Sequence, residues 1–208
     1  TYGVQPGTDL SGKTFLAVGS AVGLAADRER NTAFQVIANI LYNSDASPLK
    51  KAILSAGLCK DFGGLFLPNS CITTIMMTYL IGSDPDQLDQ FREVYTSVLR
   101  ELAAAGLDHD LILSELNKYE FSVREEMIKA QRGLDLIGKV LPAIKYDVDA
   151  FEALCIDTLF RQIRKKALEE GYFEQLIQEL LLENPATVEI VLQPDPEKMI
   201  QTQRLEQE

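Results

Sequence analysis

The sequence predicts an α+β fold, with a mostly antiparallel sheet and helices packed on one face. Three observations lead to this class. An alternating, strand-like segment stands near the start of the chain, two consecutive ones follow in its first half, and a last one comes after a long run of helical segments. Because like elements come in runs and do not alternate strictly, the pattern differs from that of a parallel βαβ sheet.

Composition is that of an ordinary globular protein. The 208 residues fit one large domain or two small ones, and 46% hydrophobic with 25% charged residues excludes wholesale disorder. A formal net charge of -11 without a basic stripe argues against nucleic acid and favours cationic partners. No apolar run approaches the ~20 residues that span a bilayer, so we expect no membrane partner.

Histidine and cysteine are too few for the common metal and disulfide frameworks. A single histidine, His109, cannot supply a Cys2His2 site, a three-His site or an H-E-x-x-H helix. The cysteines Cys59, Cys71 and Cys155 include no C-x-x-C pair, and sparse, unpaired cysteine indicates a reducing, intracellular compartment. Since the chain begins at Thr1 without a Met or a signal peptide, we expect a piece of something longer.

The first half is predicted as strand, two helices, two strands. Large and small residues alternate over Lys13–Leu24, which predicts a strand with one small-residue face that another element can approach. Helical spacing follows over Asp27–Tyr42, and a short helix runs from Pro48 to Gly57.

Two further strands, Leu58–Leu67 and Ile72–Ile81, are predicted to join through the turn residues Pro68-Asn69-Ser70. The second strand is apolar or Thr on both faces, which predicts a sheet covered on both sides. Gly63-Gly64 indicates either a bulge or a close backbone approach in the first of them.

The second half is predicted as a run of helices and a final strand. A long helix opens at Ser83-Asp84-Pro85 and ends at Gly106, and Asp108 can cap the next helix, which carries Ile112 through Met127. A further helix reaches Leu141, where Pro142 is expected to interrupt it.

Helices over Phe151–Leu168 and Tyr172–Leu182 and a strand over Thr187–Leu192 complete the predicted order. We divide the chain into one domain, 1–196, and a polar segment, 197–208, that is a linker or the start of a helix continuing beyond it.

The best candidate for chemistry is His109, which lies between Asp108 and Asp110. It could act as a general base oriented by a carboxylate. An exposed first-turn residue beside a capping Asp is the better interpretation, because the cap and the helix dipole already explain both carboxylates.

Other motifs favour structural roles. Gly19-x-x-x-Gly23 lies inside a strand and lacks the third glycine and the helix of a dinucleotide site. The carboxylate pairs Glu125-Glu126 and Asp147/Asp149 are typical of solvated surfaces. Four cations late in a helix suit its dipole and are too few for nucleic acid; they are Arg161, Arg164, Lys165 and Lys166.

Apolar neighbourhoods account for the remaining residues. Met76, Met77 and Tyr79 are predicted to lie in the core, and Cys155 is predicted to be a small buried hydrophobe. From the residues alone, the chain is an α+β domain without an assembled active site, and no catalytic, cofactor-binding or metal-binding residue is assigned.

Three segments in order resemble one family. They are Asn31–Leu58, Asn117–Glu125 and Leu181–Glu197, the last reading LLENPATVEIVLQPDPE. Together they are similar to the second domain of pitrilysin-type zinc metallopeptidases, in the presequence-protease branch. The family often has His where this chain has Ala186.

The resemblance implies a non-catalytic domain of the N-terminal half. Zinc in such enzymes is held in the first domain by H-x-x-E-H, which is absent here, so no catalytic residue is carried over and the fragment should be inactive alone. Its expected partners are the catalytic and C-terminal domains of the same polypeptide and a peptide substrate, with cationic peptides favoured by the acidic balance. Residues 197–208 would begin the helical hairpin between the halves, in a bacterial cytoplasm or an organelle matrix.

Two alternatives remain open at this point. The chain could be a stand-alone structural or interaction module of the same fold without peptidase activity, in which case its reading frame would end near Glu208. An independent hydrolase that uses His109 and a neighbouring Asp is the weakest hypothesis.

Overall fold

The computed structural model describes residues 1–43, 47–68, 71–126 and 132–200. Its strands are β1 (Tyr2–Gly3), β2 (Thr14–Leu24), β3 (Asp61–Leu67), β4 (Thr73–Ser83), β5 (Thr187–Leu192) and β6 (Pro194–Asp195). Its α-helices are α1 (Arg28–Ala38), α2 (Pro48–Ser55), α3 (Leu88–Ala105), α4 (His109–Glu126), α5 (Arg132–Lys145), α6 (Asp157–Glu169) and α7 (Tyr172–Ile177). Further turns are 3-10 at Pro85–Gln87 and Glu152–Leu154 and π-helical at Asn39–Asn43 and Gln178–Leu182.

One antiparallel sheet organises the molecule. Its strand order is β3-β4-β2-β5, with β2 between β4 and β5. This arrangement confirms the predicted α+β class. The two-residue strands β1 and β6 pair in parallel and were not predicted, because two residues carry no alternation to detect.

Helices cover one face of this sheet, which we call the inner face. Alternate positions of each strand point towards it, so that Leu16 and Val22 of β2 and Leu80 of β4 have no exposed surface. The helical layer contributes large side chains at its centre. Fully buried aromatic rings come from Phe34 in α1, Phe91 in α3 and Phe173 in α7.

Capping groups define the ends of several helices. The Asp27 carboxylate accepts a hydrogen bond from the Arg30 amide at 3.0 Å. Ser47 does the same for the Lys50 amide at 3.2 Å, directly before Pro48. Gly106 ends α3 with φ 85°, a left-handed conformation that favours glycine.

Two helix predictions in the second half were wrong. α5 does not stop at Pro142 but runs to Lys145, because an internal proline removes one hydrogen bond without preventing the next turn. The helix predicted over Phe151–Leu168 is a 3-10 turn followed by α6. Arg28 explains the break: its guanidinium donates to the carbonyls of residues 152, 153 and 155, which a continuous helix would need for its own hydrogen bonds.

The chain is helical over 196–200, and residues 201–208 lie outside the described residues, as do Asn69, Ser70 and Met127. The Asp195 carboxylate accepts hydrogen bonds from the amides of Glu197 and Lys198, at 3.0 and 3.3 Å, and so caps this last segment. The boundary at 196/197 stays a prediction.

Candidate functional site

The face of the sheet opposite the helices is mainly apolar and only partly covered by the described residues, among them Tyr2, whose ring packs against Phe15 with the ring centroids 5.5 Å apart. We call it the open face. Strand register places alternate residues of all four strands on it. They include Phe15, Ala17, Gly19 and Ala21 of β2, Asp61, Gly63, Leu65 and Leu67 of β3, Ile75, Met77, Tyr79 and Ile81 of β4, and Val188, Ile190 and Leu192 of β5.

Exposure of the open face is greatest at the β5 edge. Val188 is 61% exposed and Ile190 is 46% exposed, although both are aliphatic residues that water solvates poorly. The described residues therefore do not cover β4 on both sides as predicted: Thr74, Met76 and Thr78 are buried on the inner face, and the alternate residues are only half-buried.

Two glycines let aromatic rings pack onto β3 from opposite sides. A Cβ on Gly63 would lie 2.5 Å from the Tyr79 ring on the open face. A Cβ on Gly64 would lie 2.4 Å from the Tyr42 ring on the inner face. The β3–β4 register is continuous through this region, so the close-approach interpretation is confirmed and a bulge is absent from this strand pair.

An ion pair fastens the β5 edge to the helical layer. Arg92 of α3 donates through two nitrogens to both carboxylate oxygens of Glu189, which points to the inner face. This hydrogen bonding lowers the pKa of Glu189 and raises that of Arg92. Because successive side chains of a strand alternate between its faces, Val188 and Ile190 lie on the face opposite to Glu189.

The sequence-based candidates for chemistry are scattered. His109 is exposed at the start of α4, and the Asp108 carboxylate accepts from the Asp110 amide at 2.8 Å, which confirms its interpretation as a helix start. Glu126 forms an ion pair with Lys139 at 2.9 Å. The Asp149 carboxylate accepts from the amides at 151 and 152, so it too has a structural role.

Two residues of the basic cluster, Arg164 and Lys166, form ion pairs with neighbouring helices. Arg164 donates to Asn117 and Glu120, at 2.9 and 3.0 Å, and Lys166 donates to Glu29 at 2.6 Å. The structure therefore uses these cations to tie α6 to α4 and α1.

Two core predictions need correction. Cys155 is exposed, because it follows the 3-10 turn and lies outside the apolar stripe of α6. Of the predicted core group, Met76 is buried, but Met77 and Tyr79 lie on the open face. Period-two alternation identifies which residues share a face and does not tell whether that face is covered.

A groove of about 280 Å³ lies between α1, α4, α5 and α6. Its floor includes Arg28, whose burial lowers its pKa, and Asn31, whose amide nitrogen donates to the carbonyls of Leu24 and Ala25. The remaining wall is largely apolar, with Tyr119 and Phe160 among its members. The polar groups here hold neighbouring backbone, and the arrangement offers no pair of nucleophile and base.

The described residues do not fit a zinc ion. They bring together no group of three or more His, Cys, Asp or Glu side chains that could hold a metal. The one histidine is exposed and has no second imidazole to join it. Among the helices of the described ranges, none is long and apolar enough to cross a bilayer.

Sequence comparisons connect the chain with much longer proteins. No family model matches it. It is 32% identical over 196 residues to Protein HypA of Clostridium perfringens, covering 94% of this chain and 20% of that protein. It is 30% identical over 179 residues to Presequence protease 1, chloroplastic/mitochondrial, of Arabidopsis thaliana, covering 84% of this chain and 17% of that protein. The chain thus spans about one fifth of the length of these curated relatives.

Structural comparisons give the same fold. The peptidase M16 inactive domain from Pseudomonas fluorescens superposes with a TM-score of 0.62 at 15% identity, covering 90% of this chain and 42% of that one. The inactive peptidase domain of a proposed zinc protease from Bordetella parapertussis superposes with a TM-score of 0.67 at 14% identity. The match covers 90% of this chain and 94% of that one. Both solved chains are described as inactive domains, and the likeness establishes the architecture.

Proposed function

Because the chain belongs to the pitrilysin-type (M16) metallopeptidase family, in its presequence-protease branch, we propose that it is a non-catalytic domain of a zinc metalloendopeptidase. In this proposal the longer polypeptide degrades short, unfolded peptides, and the present domain forms part of the wall of the chamber that encloses them. In this proposal, zinc and the catalytic residues belong to another domain, since the described residues supply no group of side chains that could bind a metal ion.

The open face is the observation that carries this proposal. Four strands about 4.8 Å apart and some six residues long present a surface of roughly 20 by 20 Å, or about 400 Å². The largest exposed apolar patch of a protein is often functional, and its apolar area is costly to leave in water. We infer that a neighbouring domain of the same polypeptide packs on it.

The charge of the chain supports a role beside the substrate. The net charge of -11 creates a negative field that attracts cationic peptides over distances of about one Debye length, ~10 Å at 0.1 M salt. Cleavage of basic peptides by the longer enzyme should therefore fall as salt rises, whereas cleavage of acidic peptides should not. Rates that depend on neither salt nor peptide charge would contradict this part of the proposal.

The packing of the open face is tested with two aspartate variants in the longer polypeptide. The double variant Val188→Asp/Ile190→Asp places two charges on the open face, which a neighbouring domain could bury only at a large cost in free energy. We therefore expect kcat/KM for peptide cleavage to fall at least about tenfold, and limited proteolysis between the domains to become faster. Leu54→Asp is the matched control, since Leu54 of α2 is 42% exposed away from the sheet and should change activity less than about twofold.

Three results would contradict the proposal. One is full activity and unchanged proteolysis of the open-face variant. The others are peptide hydrolysis by the purified 208-residue chain and stoichiometric zinc binding by that chain, either of which would place the chemistry within it.

A further inference from the structure

Residues 1–4 pair with residues 193–199 at one corner of the sheet, and we call this junction the clasp. The short strands β1 and β6 run parallel to each other there. Backbone amides of Tyr2 and Val4 donate to two carbonyls of the second segment, at 2.9 and 3.2 Å. Because the pairing is parallel, the chain passes this corner twice in the same direction.

The clasp also holds the helical segment 196–200. Gly3 lies directly on its first turn, since a Cβ on this glycine would come 3.2 Å from both the Cα and the nitrogen of Met199. The Lys198 ammonium of the same turn donates to the carbonyl of Thr1 at 2.6 Å. Residues 1–4 therefore contact both β6 and the helical segment, and they fix the direction in which that segment leaves the sheet.

Tyr2 connects the clasp to the main sheet. Its hydroxyl donates to the carbonyl of Lys13 at 2.7 Å, and its ring packs on Phe15 of β2. The loop between β1 and β2 is anchored at its far end, where the Gly12 amide donates to the Asp84 carboxylate at 2.7 Å. A displacement of residues 1–4 is therefore passed to the edge of the sheet and to the helical segment together.

Exposed groups form the clasp, so it can open without unfolding the domain. No residue of its two segments is buried, and each of its strands has only two residues. Structure with few buried contacts opens at a lower free energy than the core of the same protein. A change of one carbon at Gly3 should therefore release the clasp and leave the sheet intact.

We propose that the clasp is a conformational coupling device, which makes the segment that enters this domain and the helical segment that leaves it move as one body. In the longer polypeptide, a displacement of the residues before Thr1 is then transmitted to those after residue 200 and is not lost in a loose joint. The inference rests on the proposed function in one respect, that the chain is one domain of a longer polypeptide. It concerns neither the open face nor the choice of peptide.

Hydrogen exchange in the 208-residue chain tests the clasp itself. Gly3→Ala places a carbon against the backbone of Met199, and we expect the amides of Tyr2 and Val4 to exchange at least about tenfold faster. The matched control is Gly19→Ala in β2, where the new carbon meets only a side chain at 3.8 Å and should leave these rates unchanged. Amides between β2 and β4 report that both variants remain folded.

A reversible cross-link tests the coupling in the longer polypeptide. A Cβ on Gly3 would lie 3.3 Å from the Cβ of Met199, close to the roughly 3.5–4.5 Å of a disulfide. We expect reduced Gly3→Cys/Met199→Cys to broaden the pair-distance distribution in X-ray scattering and to lower kcat/KM at least about fivefold. Oxidation with diamide should restore both. Unmodified protein treated in the same way controls for Cys59, Cys71 and Cys155.

Three results would overturn the proposal. One is equal scattering and activity of the reduced and oxidised forms once mass spectrometry shows the disulfide, which would make the clasp a local fastening only. Failure of the disulfide to form, or unchanged amide exchange in Gly3→Ala, would show that the two segments do not hold each other. Each of these leaves the proposed function standing, whereas full activity of the open-face variants contradicts the packing proposal and leaves the clasp unaffected.

Discussion

The ring of Tyr42 lies against the backbone of Gly64, so close that a Cβ on this glycine would come within 2.4 Å of three ring carbons. The ring cannot easily yield. Its hydroxyl is hydrogen-bonded to the Thr78 hydroxyl at 2.8 Å, and its face packs on Phe62 with ring centroids 6.0 Å apart. The contact joins the π-helical turn after α1 to β3 and so sets the distance between the helical layer and the sheet.

Gly64→Ala should therefore destabilise the fold by about 1–3 kcal/mol, the usual cost of forcing an extra carbon into a packed core. The matched control is Gly19→Ala in β2, where a new Cβ meets only the Met77 side chain at 3.8 Å and no loss of stability is expected. Urea denaturation measures both. Equal stability of the two variants would show that the Tyr42 ring moves aside without cost.

Asn31 fixes the connection between β2 and α1 through its side-chain amide. Its nitrogen donates to the carbonyls of Leu24 and Ala25, at 3.0 and 3.1 Å. Asn31→Asp replaces these two donated hydrogens by a buried negative charge facing carbonyl oxygens, and we expect a loss of about 3 kcal/mol at pH 7.

The same variant should become relatively more stable in acid. Burial against carbonyls raises the pKa of the new carboxyl above its unfolded value, so its protonated form is favoured in the folded state. This favourable contribution is fully present below the pKa that the carboxyl has in the unfolded chain. It is lost as pH rises through the higher pKa that the carboxyl has in the folded protein. Asn117→Asp is the control, since its oxygen accepts from Arg164 and the change should be neutral or stabilising; unfolding midpoints from pH 4 to 8 compare the two.

Glu189→Gln should weaken the β5 edge at neutral pH. Hydrogen bonding from Arg92 lowers the pKa of Glu189 below 4.5 in the folded protein. The ion pair therefore stabilises the fold at pH values above the pKa that Glu189 has in the unfolded chain, and this stabilisation is lost as pH falls through the pKa of Glu189 in the folded protein. The variant should lack this acid-dependent component, whereas Glu93→Gln, elsewhere on α3, should retain it. Hydrogen exchange of β5 amides at pH 7 and in acid gives the comparison, and identical exchange in the two variants would refute it.

Tyr95 should remain a neutral phenol up to strongly alkaline pH. Burial raises its pKa to about 12, against about 10 for an exposed tyrosine. Its contribution to stability is therefore complete below about pH 10 and is lost as pH rises towards 12. Ultraviolet titration of the chain and of Tyr95→Phe should differ by one late-ionising group; a difference confined to the ordinary tyrosine range would show that Tyr95 is accessible.

Local signals predicted most of the architecture. The alternation in β2, the cap at Asp108 and the glycine that ends α3 each act within a few residues, so they can be identified without knowing the fold. The break before α6 could not be predicted, because it depends on Arg28, which is more than 120 residues away from the carbonyls it binds. Cys155 was assigned wrongly for the same reason.

The sequence by itself determined which residues share a face, where most of the helical segments lie, and that one histidine cannot assemble the zinc site of the family. That helices cover one face of the sheet was predicted, but only the tertiary structure decided that Val188 and Ile190 on the other face are exposed and that α5 exposes four aliphatic side chains. Amphipathic periodicity is a property of neighbouring residues, whereas exposure depends on which other surface is present to cover them.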